Sequence, residues 1–161
     1  NDVIIDYPKG VLNVHWESQK GKIYDKPLGL IYKNNRLLDK FYVPAAVDIL
    51  EDDYKMTLNT VPNKFYKNLK ITKGETKNLV LPSPGLLNIR YSSTVYGDVY
   101  VYEGNNLKKC HSLTSNKSVE SLSLLPGRYK IIYRSKRSLT IHGTFEKVFD
   151  IRPFSIVNIS L

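Results

Sequence analysis

The chain has 161 residues, of which 42% are hydrophobic and 24% are charged, a balance typical of folded proteins that excludes a disordered chain. Its formal net charge is +9, a surplus that can attract acidic partners. No apolar run approaches the ~20 residues that a membrane-spanning helix requires, so we expect no transmembrane segment.

The first half of the chain contains segments with the alternating pattern of β-strands. They are VLNVHW (residues 11–16), LIYKNNRL (30–37), DYKMTL (53–58) and KITKGETKNLVL (70–81). Turn signals lie within or between them, at KGK (20–22), KNN (33–35), EDD (51–53) and KGE (73–75). Pro44 and Pro62 are expected at strand ends or edges because proline cannot donate to a strand ladder.

The second half of the chain repeats this organisation. Its strand-like segments are LLNIRY (86–91), YVYEGNNL (100–107), RYKIIY (128–133) and DIRPFSIVNISL (150–161), with turn signals at YGD (96–98), GNN (104–106) and PG (126–127). Pro153 is again expected at a strand end. In RYKIIYR, the period of two directs Tyr129, Ile131 and Tyr133 inward.

The four segments of each half match in the same order, at separations of 75, 70, 75 and 80 positions. An internal repeat of this length indicates two tandem modules. No segment has sustained helical periodicity, and short strands at close spacing favour a sandwich. We therefore predict an all-β chain of two tandem antiparallel β-sandwich domains, at residues 1–82 and 83–161.

The ordered set of PGLLNI (84–89), VYVYEGNNL (99–107) and LLPGRYKIIYRSK (124–136) with a closing strand resembles a known family. These are the immunoglobulin-like or prealbumin-like β-sandwich modules that accompany von Willebrand factor A domains in Bacteroidota cell-envelope proteins. The resemblance implies a non-catalytic structural or interaction module of a larger protein, in the cell envelope or secreted. The DxSxS metal motif of the von Willebrand domain does not occur here, so its metal-dependent ligand binding is not implied. Each module departs once from the pattern, with Asp52–Asp53 replacing the PG pair and Arg152–Ser155 replacing the KGE turn.

Catalytic and metal-binding patterns are weak throughout the sequence. His15, His111 and His142 lie far apart without metal-ligand spacing, and Cys110 cannot pair with His111 because strand neighbours point to opposite faces. The acidic run Glu51–Asp53 lacks the spacing of a calcium loop and indicates a solvated turn. We therefore predict no enzyme, cofactor or metal, with His15 exposed and Cys110 buried or half-buried.

One basic stretch, RYKIIYRSKR, is a candidate surface for an anion or a partner. Its cations are Arg128, Lys130 and Arg134 on one strand face, followed by Lys136 and Arg137 in a turn. We expect the partner to be another protein, a neighbouring domain or an acidic glycan, and not a nucleic acid, because the tyrosines of the strand point inward. Two alternatives remain: a plain solvated strand face, and a carbohydrate-binding module in which Trp16 or exposed tyrosines stack on sugars, although Trp16 is expected in the core.

Overall fold

The computed structural model describes residues 7–18, 25–114, 117–137 and 143–161. Within these ranges the chain is all-β and has no α-helix, which confirms the predicted fold class. No helix that could cross a membrane occurs in the same ranges. The chain divides into two compact units, each with seven strands among the described residues, and Thr60–Pro62 group with the second unit. The proposed boundary at residues 82 and 83 stays a prediction.

The first unit is a pair of sheets. Its strands are β1 (Lys9–Trp16), β2 (Leu28–Lys33), β3 (Arg36–Tyr42), β4 (Ala45–Leu50), β5 (Asp52–Leu58), β6 (Lys64–Ile71) and β7 (Thr76–Leu81). One sheet has the order β4-β1-β7 and the other the order β3-β2-β5-β6. Buried residues alternate along β1 (Leu12, Val14, Trp16), so this face points into the core as the sequence predicts.

The second unit repeats the plan of the first, strand for strand. Its strands are β8 (Gly85–Arg90), β9 (Val95–Glu103), β10 (Asn106–Ser112), β11 (Val119–Leu124), β12 (Gly127–Ser135), β13 (Thr144–Ile151) and β14 (Ile156–Ser160). Its sheets have the orders β11-β8-β14 and β10-β9-β12-β13, which are the orders of the first unit moved on by seven strands. Both sheets contribute to one core, for example through Leu87, Val99 and Ile131.

The strand pairs are antiparallel with one exception in each unit. The first strand pairs in parallel with the last, as β1 with β7 and β8 with β14. An asparagine pair joins these parallel strands at matching positions, with Asn13 Nδ2 donating to Asn78 Oδ1 at 2.8 Å and Asn88 Nδ2 donating to Asn158 Oδ1 at 3.0 Å. Apart from this one parallel pair in each unit, the strand pairs are antiparallel, as the sequence predicts.

Gly10 and Gly85 hold the same position in the two units, and both are needed for close packing. A Cβ atom on Gly10 would lie 2.4 Å from the Thr72 carbonyl oxygen, and one on Gly85 would lie 2.7 Å from that of Arg152. These distances are shorter than a carbon atom tolerates, so only glycine allows the last turn to approach the first strand.

The turns are related even where their sequences differ. The β2–β3 hairpin turns through Asn34 and Asn35, whose φ angles are 50° and 62°, and the β9–β10 hairpin turns through Gly104 at 63°. The β6–β7 turn uses Gly74 at φ 72°, and the β13–β14 turn uses Phe154 at φ 59°. The second module therefore keeps the left-handed residue of the KGE turn although it lacks the glycine.

The expectations about turns have different outcomes. Pro44, Pro62 and Pro153 all lie between strands, as predicted. The YGD triplet is not a turn but lies inside β9, where Gly97 is required because a Cβ atom would lie 2.6 Å from the Ile132 carbonyl oxygen. Only Glu51 of the EDD triplet lies between strands, since Asp52 and Asp53 open β5. The KGK triplet lies outside the described residues.

Candidate interaction surface

Strand β12 presents the predicted cations on the outer face of the four-stranded sheet of the second unit. Arg128, Lys130 and Arg134 alternate with the buried side chains of Tyr129 and Ile131. Lys136 and Arg137 are exposed in the turn that follows the strand. The alternation thus places the first three side chains as the sequence predicts.

The neighbouring strand β9 contributes tyrosines to this outer face. Tyr96 lies opposite Arg134, and Tyr100 lies opposite Lys130. The guanidinium of Arg128 lies 5.6 Å from the ring centroid of Tyr102, and that of Arg134 lies 5.8 Å from the centroid of Tyr96. The Lys136 ammonium is 4.9 Å from the same Tyr96 ring. These distances are those of cation–π contacts, which orient the cations across the ring faces.

Carboxylates balance part of the positive charge on this face. Lys130 Nζ lies 2.8 Å from Glu146 Oε2, and this hydrogen bond raises the pKa of Lys130. Lys109 Nζ lies 2.6 Å from Asp98 Oδ1. Burial would raise the pKa of Asp98, but the hydrogen bonds from Lys109 and Ser112 outweigh it and lower that pKa. Lys109 and Lys130 are therefore each paired with a carboxylate, that of Asp98 and that of Glu146 respectively.

The other cations of this face have no carboxylate in ion-pair contact among the described residues. No ion pair of the described residues contains Arg128, Arg134, Lys136 or Arg137. We call these four residues, together with Lys130, Tyr96, Tyr100 and Tyr102, the cationic face.

The tyrosines of the cationic face were missed by the sequence reasoning. The sequence reasoning considered only the tyrosines of β12, of which Tyr129 is buried and Tyr133 is half-buried. The signal was present in VYGDVYVYE, where Val95, Val99 and Val101 are buried and the intervening tyrosines take the opposite phase.

A separate polar cluster surrounds Glu120 of β11. Its carboxylate accepts hydrogen bonds from the Tyr91 hydroxyl and from the Thr114 backbone N–H at 3.0 Å, and its Oε1 lies 2.7 Å from His111 Nε2. Burial would raise the pKa of Glu120, yet the hydrogen bonds from Tyr91, Thr114 and His111 outweigh burial and hold that pKa below its ordinary value. The carboxylate is therefore charged, and its donors are fixed in place.

The first unit fills the matching positions with apolar side chains. Trp16 ends β1 and Tyr91 directly follows β8, and these two residues correspond. Ala45 of β4 has the same place in its strand pair as Glu120 of β11. Trp16 is only 4% exposed, which confirms its place in the core. Because apolar residues occupy the matching positions of the first unit, we interpret the Glu120 cluster as a hydrogen-bond network that joins strands.

The other residues that the sequence analysis named do not belong to the cationic face. Cys110 is half-buried, as predicted, and its thiol donates to the Val99 carbonyl at 3.3 Å. His15 is half-buried and not exposed as expected, with its buried Nδ1 lacking a hydrogen-bond partner among the described residues. Asp52 forms an ion pair with Lys33. His142 lies outside the described residues.

No described cluster of three or more His, Cys, Asp or Glu side chains is arranged to hold a metal ion. Cys110 and His111 lie at a β-bulge, because the register of β10 against β9 shifts between Lys109 and His111. The thiol is directed to a backbone carbonyl and His111 to Glu120, so the two side chains have different partners.

No protein-family model matches the chain, and no curated protein sequence matches it. Two solved structures are similar to most of it at low identity. The TIE protein of Bacillus anthracis is 15% identical with a TM-score of 0.37, over 96% of this chain and 34% of that one. A minor pilin of Streptococcus agalactiae is 13% identical with a TM-score of 0.40, over 94% of both chains. This chain therefore spans about a third of the length of the TIE protein.

Proposed function

We propose that the chain is a non-catalytic interaction module whose second unit binds an acidic surface of another protein or of a neighbouring domain. The observation that carries the proposal is the cationic face, in which tyrosine rings hold Arg128, Arg134 and Lys136 within 4.9 to 5.8 Å of their centroids. Tyrosine and arginine are enriched at protein interfaces and dominate their energetics.

The charge pattern favours a protein over a nucleic acid. Asp98, Glu146 and Asp150 lie among the cations, and Ile132 of β12 lies opposite both Asp98 and Glu146. A continuous polyphosphate would meet these carboxylates, whereas a protein surface can place its charges to suit them. The ring of Tyr96 is already in contact with Arg134 and Lys136, which a base would have to displace before stacking.

The non-catalytic part of the proposal is supported by how the reactive groups are held. Burial raises the pKa of the Cys110 thiol to about 11, so it is protonated at neutral pH and is a poor nucleophile. His111 is held by the Glu120 carboxylate.

The proposed setting is a larger cell-envelope or secreted protein, in which this module follows a von Willebrand factor A domain. Its support is the sequence resemblance of the two modules. The coding sequence of the full-length protein tests it: a DxSxS-bearing domain upstream supports this setting, and a complete upstream sequence without one overturns it.

The binding proposal is tested with fluorescently labelled poly-L-glutamate as the acidic probe, by fluorescence anisotropy over a series of salt concentrations. We expect binding that weakens steeply with salt, since the contacts are between exposed charges. Reversing Arg134 and Lys136 to glutamate should weaken binding at least ~10-fold, a change of about 1.4 kcal/mol. The matched control reverses Lys64 and Lys77 of the first unit, which changes the net charge equally.

Two results contradict the proposal. Equal losses from the two pairs would mean that only net charge matters and that the cationic face is a solvated strand surface. Binding of a thymidine oligonucleotide that persists at high salt, where polyglutamate is released, would indicate base stacking and a nucleic-acid partner.

A further inference from the structure

The four-stranded sheet of the first unit carries an open groove on its outer side. The groove has a volume of about 700 Å³ and runs along β5, between β2 and β6. The groove is lined by three aromatic residues (Tyr32, Phe65, Tyr66), two lysines (Lys55, Lys67), two asparagines (Asn35, Asn68), and by Met56 and Thr57. None of these nine residues is acidic.

A β-bulge shapes one wall of the groove. The pairing of β5 with β6 shifts register between Tyr54 and Met56, so that Lys67 and Asn68 together lie opposite Lys55. Bulges bend a strand and redirect side chains, and they occur often beside binding sites. Phe65 lies next to this bulge, opposite Thr57, and the residue is 62% exposed.

The second unit has a different residue at the matching place in the fold. Lys130 of β12 corresponds to Lys55 of β5, and Glu146, which lies opposite Ile132, corresponds to Phe65. In the second unit the Glu146 carboxylate pairs with Lys130 at 2.8 Å. In the first unit the Lys55 ammonium instead donates to the neutral side chain of Asn35 at 3.2 Å.

We propose that this groove binds an acidic sugar, a pyranose that carries a carboxylate. The ligand carboxylate would supply to Lys55 and Lys67 the negative charge that Glu146 supplies to Lys130. The C–H face of the sugar ring would stack on Phe65, and Asn35 and Asn68 would bind its hydroxyl groups. Sites of this kind combine an apolar wall with a few polar groups that fix the orientation of the ligand.

The proposed site is separate from the cationic face, because every residue that lines the groove lies in the first unit. The sugar-binding alternative considered from the sequence rested on Trp16 or exposed tyrosines. Trp16 is buried in the core and cannot contact a ligand, and the present proposal assigns the stacking to Phe65.

The test is isothermal titration calorimetry with three probes: an oligosaccharide of glucuronic acid, a glucose oligosaccharide of the same length, and a thymidine oligonucleotide. We expect the acidic oligosaccharide to bind at least ~10-fold more tightly than the neutral one, since each tenfold is only about 1.4 kcal/mol. Phe65→Leu should lose most of this affinity, and Phe65→Tyr should retain it because the planar ring remains. Lys55→Gln with Lys67→Gln should abolish the preference for the acidic sugar.

Matched controls come from the same unit. Tyr42 is 63% exposed on β3, and Lys64 is exposed on β6 outside the groove, so Tyr42→Leu and Lys64→Gln should leave binding unchanged. Equal binding of the acidic and neutral sugars, tighter binding of the oligonucleotide, unchanged binding by Phe65→Leu, or no binding of any probe would each overturn the proposal. Charge reversal of Arg134 and Lys136 should have no effect here, which separates this site from the cationic face.

Discussion

The hydroxyl group of Tyr129 donates a hydrogen bond of 2.5 Å to the backbone carbonyl of Leu125, four residues earlier in the chain. The same relationship joins Tyr54 to Leu50 in the first unit, at 2.9 Å. In both units it ties the start of a central strand to the end of the preceding one.

Removing this hydroxyl group should destabilise the second unit. Tyr129→Phe keeps the ring but leaves the Leu125 carbonyl without its donor, at a cost of about 1 kcal/mol in the free energy of unfolding. Urea denaturation followed by fluorescence measures the change. Tyr54→Phe should have a comparable effect, and no loss in either variant would show that the bond contributes nothing to stability.

Replacing Gly85 with alanine should lower the stability of the protein, although it adds only one methyl group. The new methyl group would lie 2.7 Å from a backbone oxygen and 2.8 Å from the Ile151 Cγ2 atom, so the strand and the turn must move apart. We expect a loss of about 1–3 kcal/mol, the usual cost of overpacking. The control is Gly127→Ala, whose methyl group would lie 3.5 Å from the nearest atom and should be tolerated. Equal stabilities of the two variants would contradict this account.

The Glu120 cluster should make stability depend on pH in the acidic range. Burial alone would raise the pKa of Glu120, but its hydrogen bonds lower the folded-state value below that of the unfolded chain. The resulting stabilisation is fully present above the unfolded pKa of about 4.3 and is lost as the pH falls through the folded value. Urea denaturation at several pH values should show a steeper acid loss in the wild type than in Glu120→Gln.

A matched control separates this effect from general acid sensitivity. Glu103 is exposed and pairs with Lys108 at 3.2 Å, so Glu103→Gln should leave the acid profile nearly unchanged. If the stability of Glu120→Gln fell with pH in parallel with that of the wild type, Glu120 would not be the cause of the acid loss.

The thiol of Cys110 should react slowly with alkylating reagents while the protein is folded. Burial raises its pKa to about 11, and its hydrogen is directed at the Val99 carbonyl. At slightly alkaline pH the thiolate fraction should fall roughly two orders of magnitude below that of a free cysteine. Mass spectrometry after iodoacetamide treatment measures the rate, which should recover in urea. Rapid labelling of the folded protein would contradict the buried placement.

Much of the architecture could be predicted because it is local or repeated. The period of two directs the residues of β1, β8 and β12 to their correct faces, and the internal repeat predicts two units of one topology. Gly10 and Gly85 are also 75 positions apart in the sequence, and both mark the same close approach in the structure.

The rest depends on which strands become neighbours, which a local pattern does not contain. The parallel pairing of β1 with β7 joins segments at opposite ends of a unit. Tyr96 and Arg134 meet only because β9 pairs with β12, so their contact could not be found by considering the basic stretch alone. Gly97 was interpreted as a turn residue for the same reason, since its requirement comes from Ile132 on the adjacent strand.

The parallel pairing of the first and last strands gives each unit a mechanical property. A pulling force applied at Lys9 and at Leu81 would draw β1 and β7 past one another along their length, so their hydrogen bonds would carry the load together and not break one after another. The β8–β14 pair of the second unit has the same geometry between Gly85 and Ser160. Rupture under load is governed by the unfolding rate, so we expect each unit to resist a force applied at these two ends better than one that peels its strands apart.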